Sequence, residues 1–246
     1  MSFWWDSIGG LRRTRDPLDG PLECDVAIVG GGYTGLWTAL ELLRADPSLD
    51  VVVLEREACG FGASGRNGGW LLGELAGRPS ESLDAAIRAT VDEAIAAIER
   101  EGIDCDLVKG GTLSVAVDPV NEARLRSDEA NKSEPLMAAR GSWIDADELA
   151  KRVRVAQARG ALFDDACARI QPAKLARGLA QAAERAGARI FEGTEVTAVE
   201  PHVARTAAGD VRARWVVRAT EGYSPGGSGS VAIIDELIGA TRPSGE

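Results

Sequence analysis

Gly30, Gly32 and Gly35 stand in the run VAIVGGGYTGL with the spacing GxGxxG, and Glu55 follows about 20 residues later at the end of VVVLE. This combination suits the binding of a dinucleotide. The first glycine permits a tight turn, the second lets backbone approach a pyrophosphate, and the third lets helix and strand pack closely. The N-terminus of the helix that follows offers unpaired N–H groups and partial positive charge to the phosphates. A carboxylate at Glu55 can accept hydrogen bonds from a ribose diol, and it disfavours a 2′-phosphate at that place. NADP is thereby disfavoured, while NAD and FAD both remain open.

A second set of candidates lies in GFGASGRNGG, residues 60–69. Gly65, Gly68 and Gly69 allow main chain to lie against a flat, bulky ligand, and Ser64, Arg66 and Asn67 supply donors. An NAD-binding unit ordinarily continues from its second strand into another crossover helix. This chain enters a glycine loop instead. Such a loop suits a longer cofactor whose pyrophosphate and ring system both need covering, and it favours FAD over NAD.

These residues need elements to position them. Residues 26–29 are apolar and β-rich, as in a buried parallel strand. Residues 34–44 predict a helix that Asp46-Pro47 ends, and residues 51–54 predict a second buried strand. The resulting βαβ unit is close to the ~30 residues that such a unit needs. Further on, Leu83, Ile87, Val91, Ile95 and Ile98 recur at helical spacing, with Ser80 as a cap. GGTLSVAVD predicts a strand, residues 120–140 and 145–153 predict helices, and ALFDDACARI predicts a strand with a turn. Pro172 opens another helix that ends at Gly187. Residues 189–192 and 195–200 predict strands, and a hairpin around Gly209 leads to a strand over 215–219.

Other chemistries find little support. The chain has 246 residues, 45% of them apolar, enough for a substantial core. Its formal charge of −10, with no basic block, argues against nucleic acid and against an anionic membrane as partners. Cys24, Cys59, Cys105 and Cys167 lack zinc spacing and suit reduced, structural thiols; no metal is expected. His202, the single histidine, falls in the strand-like stretch TAVEPHVART, which makes a histidine-based triad or metal site on this chain implausible. Asp164 and Asp165 are adjacent carboxylates, and neighbours of this kind in a turn suit a solvated face. No catalytic residue is assigned. Without an apolar run long enough to span a bilayer, and without a signal-peptide pattern at the start, a cytoplasmic location is expected.

In combination, VAIVGGGYTGLWTALELL, VVVLERE, GFGASGRNGG, GGTLSVA, IQPAKLARGLAQAAERAGARIFEGTEV and VVRATEGYS resemble the D-amino-acid oxidase (DAO) superfamily of FAD-dependent oxidoreductases. Within it, the resemblance is to the glycine oxidase, sarcosine oxidase and γ-glutamylputrescine oxidase group, and it covers about residues 3–224. It implies an α/β fold, with an FAD-binding Rossmann-like parallel sheet and part of a mixed-sheet substrate domain. It also implies oxidation of a C–N bond in a small amine or amino acid by hydride transfer to flavin. Gly30, Gly32, Tyr33, Thr34 and Gly35 would hold the pyrophosphate, Glu55 the adenosine ribose, and Arg56 would lie near the adenine. Ala63 and Ser64 would contact phosphate and ribityl groups, and Arg66, Asn67, Gly68 and Gly69 would approach the flavin ring. Val196 would meet the adenine through its backbone, and Ala219, Thr220 and Gly222 would close the site.

The expected organisation is an N-terminal arm over 1–23, a discontinuous FAD-binding domain over 24–77 and 172–225, and a partial substrate or cap domain over 78–171. A linker-like segment, 226–230, and a short tail, 231–246, complete it, with a substrate-domain strand expected over 231–238. Family chains continue for about as much sequence again, so a truncated chain with weak or no flavin retention and little activity is expected. The alternatives are a non-catalytic nucleotide-binding remnant and an NAD-dependent dehydrogenase. Nothing in the sequence sets the oligomeric state.

Overall fold

The computed structural model describes residues 2–73, 81–130, 141–223 and 232–233. In chain order the first elements are α1 (Phe3–Asp6), β1 (Leu22–Val29), α2 (Tyr33–Ala45), β2 (Val51–Leu54) and β3 (Trp70–Leu72). Then come α3 (Glu81–Arg100), β4 (Thr112–Ala116), α4 (Pro119–Ala130), β5 (Ser142–Asp145), α5 (Ala146–Arg152), β6 (Gly160–Asp164) and β7 (Cys167–Arg169). The chain returns through α6 (Pro172–Ala186), β8 (Arg189–Phe191), β9 (Val196–Glu200), β10 (Val203–Thr206), β11 (Gly209–Arg218) and β12 (Ala232–Ile233). The chain divides into two compact units. One comprises Met1–Gly68, Ile103–Cys105 and Gln171–Glu246; the other comprises Gly69–Gly102 and Asp106–Ile170.

The first unit is built on a sheet of strand order β8-β2-β1-β11-β10-β9. β8, β2, β1 and β11 run parallel, and β11, β10 and β9 form an antiparallel meander. The fold class is therefore α/β with a parallel-containing sheet, as expected. Alternate side chains of a strand face opposite ways. Ala27 and Val29 of β1 join Val52 and Leu54 of β2 and Val216 of β11 in one buried cluster, with Val196 and Val199 of β9 packed on it. Val51 to Leu54 are all buried, as a strand covered on both faces requires.

Two helices serve this sheet. α2 packs against β1 and β2, and α6 packs against α2 and β8. α6 is the crossover helix that a parallel β2–β8 pair needs, supplied only after the chain has built the whole second unit. Its limits follow local rules. Gln171 caps it through a 2.8 Å bond from the Lys174 N–H, and Pro172 occupies its first turn. Gly187, at φ 116, ends it in the left-handed region. Ala173, Ala176, Ala180 and Ala183 are buried along it, and such short side chains let helices approach closely.

The second unit has a two-stranded sheet, β3-β7, and a three-stranded antiparallel sheet, β4-β6-β5. Ala116, Leu125 and Leu162 form its small core, with Trp143 packed against them. Asp164 corrects the expectation of a solvated carboxylate pair. It is 2% exposed and accepts from Arg88 at 2.8 Å, while Asp165, which is exposed, binds the same guanidinium at 2.8 Å. A buried charge is tolerable when it is paired in this way.

Two further sequence expectations change. His202 is a turn residue between β9 and β10, at φ 64, not part of a strand. Of the expected strand over 231–238, Ala232 and Ile233 pair antiparallel with β11 in the first unit's sheet, and the rest lies outside the described residues. The Ser80 cap, and residues 131–140 of the helix expected over 120–140, also fall outside them. All four cysteines are free thiols. Burial pushes the Cys24 thiol up to about 12 and the Cys59 thiol well above its ordinary value, so both stay protonated at neutral pH.

Candidate functional site

A cavity of about 740 Å³ opens at the carboxyl ends of β1, β2 and β11. Open parallel sheets place ligands at that edge. Gly30, Gly32, Tyr33 and Thr34 contribute the turn and the first residues of α2, and Glu55 and Arg56 follow β2. Ala63 and Ser64, at the start of a single 3₁₀ turn, form another part of the wall. Val196 on β9, together with Ala219 and Thr220 after β11, completes the group of expected residues that the structure brings together.

The turn is held from both sides. Gly30 has φ 111, and a Cβ there would come 2.5 Å from the Ala219 carbonyl oxygen. A Cβ at Gly35 would overlap the Gly30 carbonyl oxygen and touch Ile28 at 3.2 Å. Gly35 is therefore needed for packing and does not line the cavity. Across the opening, a Cβ at Gly32 would reach the Ser64 hydroxyl at 3.0 Å. The Ser64 oxygen accepts from the Tyr33 N–H at 2.9 Å, which satisfies one free donor of the helix and leaves the hydroxyl proton to donate onward. The Tyr33 hydroxyl donates to the Pro172 carbonyl at 3.0 Å; this tie and burial, which raises its pKa, keep it a structural group.

Glu55 faces this turn. Its carboxylate accepts from the Gly31 N–H at 2.7 Å and from the Glu57 N–H at 2.8 Å. Burial raises its pKa, and these two backbone donors oppose that shift without cancelling it. Protonation would remove acceptor capacity from this wall of the cavity. Binding of ADP should therefore weaken as pH falls through an inflection above the ordinary carboxylate value of about 4.3. Glu55→Gln should lack that inflection, and ADP titrations of both proteins across pH 5–8 check it.

The remaining expected residues lie elsewhere. Arg66 is exposed and stacks on Phe61, its guanidinium carbon 4.4 Å from the ring centre. Asn67 donates its amide to the Ala63 and Ser64 carbonyls at 3.3 and 3.0 Å, bracing the loop. A Cβ at Gly68 or at Gly222 would meet nothing within 4 Å, and Gly69 belongs to the second unit. Among the cavity residues that sequence reasoning missed are Phe61, Arg218 and Tyr223. The Tyr223 ring lies beneath the Arg56 guanidinium at 5.4 Å, and a Cβ on Gly62 would approach that ring at 3.1 Å. The aromatic residues carried no spacing signal. Arg218 directly precedes Ala219, but its direction depends on strand register.

The residues present fit a dinucleotide: a glycine cradle where side chains would intrude, a helix N-terminus, a carboxylate at the end of β2 and a cavity of cofactor size. Together with the β8-β2-β1-β11 sheet and its antiparallel meander, they define a dinucleotide-binding domain of the Rossmann type.

The family match goes further. Residues 25–238 match the DAO family, described as FAD dependent oxidoreductases, and the chain belongs to that family. It is 37% identical over 223 residues to gamma-glutamylputrescine oxidoreductase of Escherichia coli (strain K12), covering 85% of this chain and 51% of that protein. It is also similar to glycine oxidase of Geobacillus kaustophilus (strain HTA426), at 28% identity, covering 81% of this chain and 55% of that protein. A crystal structure of glycine oxidase from Geobacillus kaustophilus superposes with a TM-score of 0.66 at 30% identity, over 80% of this chain and 55% of that one. The chain thus spans between half and three fifths of three of the curated relatives it matches (51%, 59% and 54%). FAD is the family's cofactor. Among the described residues, no helix is long and apolar enough to cross a membrane.

Proposed function

We propose that this chain forms the FAD-binding part of an oxidoreductase that oxidises the C–N bond of a small amine or amino acid. The observation that carries the reading is the convergence of the Gly30–Gly35 turn, Glu55, Ser64 and the end of β11 on one cavity. On this reading the FAD-binding domain comprises residues 24–77 and 172–225, after an arm over 1–23. Residues 78–171 belong to the substrate side, and 226–230 and 231–246 are a linker and a tail.

Each residue then has a physical task. The N–H groups of Gly32 and Thr34 receive the pyrophosphate at the positive end of α2, and Tyr33, whose own N–H Ser64 holds, lines the same turn. Ser64 gives its hydroxyl proton to a phosphate oxygen while it holds the Tyr33 N–H. Glu55 receives the ribose diol, and Arg56 and the Val196 backbone border the adenine. Ala63 meets the ribityl chain; Arg66, Asn67, Gly68 and Gly69 approach the ring system; Ala219, Thr220 and Gly222 close the site. When bound, FAD supplies the acceptor for the hydride that leaves the carbon beside the substrate nitrogen. The substrate nitrogen loses its proton in the same oxidation, and water hydrolyses the resulting imine to a carbonyl compound and an amine or ammonia. No side chain described here is assigned that proton. The names of the relatives support an amine or amino-acid substrate class.

Titration with FAD, followed by the flavin absorption spectrum, tests this reading. The expected result is weak but saturable binding of added flavin, lost on gel filtration and displaced by ADP. A folded chain that binds neither FAD nor ADP overturns it.

A further inference from the structure

Arg218 is the last residue of β11, and it lies in register with Val29 of β1, which in turn pairs with Leu54 of β2. Paired residues in a sheet point to the same face. Leu54, Val29 and Arg218 therefore form one row at the carboxyl edge, and all three line the cavity. This is the face on which Val196 and Val199 of β9 pack.

The Nε of Arg218 is buried, and no hydrogen-bond acceptor reaches it. No described carboxylate pairs with its guanidinium. Arg15, Arg88, Arg189 and Arg205 all make such pairs, and the chain as a whole has an excess of acid. A buried donor on a cation is costly unless an acceptor meets it. The cavity is the space open to that acceptor.

We propose that Arg218 is a ligand-binding residue of this cavity and that its guanidinium binds the adenosine diphosphate half of the cofactor. The assignment to that half rests on position: the Leu54–Val29–Arg218 row lies between Glu55 and β9, on the side given above to ribose and adenine. The diphosphate and the adenine ring nitrogens are both acceptors for a guanidinium. The proposal rests on the reading that the cavity holds a dinucleotide.

Calorimetric titration of the 246-residue chain with ADP and with adenosine tests it, using wild type, Arg218→Met and Arg218→Lys. Arg218→Met should weaken ADP by roughly tenfold to a hundredfold, the range for a hydrogen bond from a charged donor. Arg218→Lys keeps the charge but loses the forked donor, and it should restore only part of the affinity. An equal loss for adenosine places the acceptor on base or ribose, and a loss confined to ADP places it on phosphate; either result supports the proposal. Unchanged ADP affinity in both variants overturns it. Wild type that binds no ADP overturns the dinucleotide reading itself, and this proposal with it. If Arg218→Met does not fold, the ¹⁵Nε–H resonance of Arg218 in wild type, assigned with Arg218→Lys, gives the answer. It should shift and exchange more slowly with water when ADP is added, and an unmoved resonance overturns the assignment.

Discussion

Replacing Glu192 with glutamine should lower the unfolding free energy by about 3 kcal/mol, among the largest effects of a single change in this chain. Glu192 is 1% exposed, and its carboxylate binds two segments distant in sequence, Thr14–Arg15 and Cys59. One oxygen accepts from the Thr14 and Arg15 N–H groups at 2.7 and 3.2 Å. The other accepts from the Cys59 N–H at 2.9 Å and from the Arg15 guanidinium at 3.1 Å. The N-terminal arm and the chain after β2 are thereby fastened beside β8. A glutamine keeps the shape but turns an NH₂ toward backbone donors, so buried N–H groups lose their acceptor. Glu184, the second partner of Arg15, is partly exposed, and Glu184→Gln should cost less than ~1 kcal/mol. Chemical denaturation followed by tryptophan fluorescence measures both. Equal stability of wild type and Glu192→Gln would contradict the arrangement.

Acid gives the same prediction a sign. Burial by itself would raise the pKa of Glu192, but the Cys59, Thr14 and Arg15 N–H bonds and the Arg15 charge outweigh it and hold the pKa below the ordinary carboxylate value. A carboxyl group depressed in the folded state contributes stability above its unfolded pKa of about 4.3, and loses it as pH falls through the folded value. The gap between wild type and Glu192→Gln should therefore be fully open at neutral pH and should close below the ordinary carboxylate range. A gap that widens in acid would count against this account.

Replacing Gly35 with alanine should abolish measurable ADP binding and cost about 3 kcal/mol or more in stability. A helix interior normally gains from alanine in place of glycine, by roughly 0.5–1 kcal/mol. Here the added Cβ would overlap the Gly30 carbonyl oxygen, which is backbone and cannot rotate away. Relief must come from moving α2 away from β1, which dismantles the turn that lines the cavity. Overpacking of a tight contact costs typically 1–3 kcal/mol, and a backbone clash lies at the upper end. Gly68→Ala is the control, because its Cβ would meet nothing within 4 Å. It should change stability by less than ~0.5 kcal/mol. A Gly35→Ala protein of wild-type stability would show that the turn does not pack as described, whatever ligand the cavity takes.

Much of the β1-α2-β2 unit is legible in the chain because its signals are local. A β-rich apolar run, a glycine turn and an amphipathic stretch lie within a few tens of residues, and each keeps its meaning without a partner. α6 is legible for the same reason, since Pro172 and Gly187 mark its ends. Its place as the crossover from β2 to β8 is not local, because a whole second unit intervenes. His202 shows the limit of pattern reading. It interrupts an apolar, strand-like stretch at a turn that only the β9–β10 pairing makes evident. Asp164 shows another: its burial depends on Arg88, a residue far away in sequence.

The candidate site divides along the same line. Its glycines and Glu55 were readable because a turn of fixed geometry demands those residue types at fixed spacing. Arg218 and the three-way grip of Glu192 were not. Sheet register decides which way Arg218 points, and chain closure brings Thr14, Arg15 and Cys59 to one carboxylate. The sequence by itself determined the glycine turn and the class of fold around it, because those follow from backbone sterics and hydrophobic period. Only the tertiary structure decided which distant side chains share the cavity and the buried charge, because those contacts depend on pairing across long loops that no local pattern encodes.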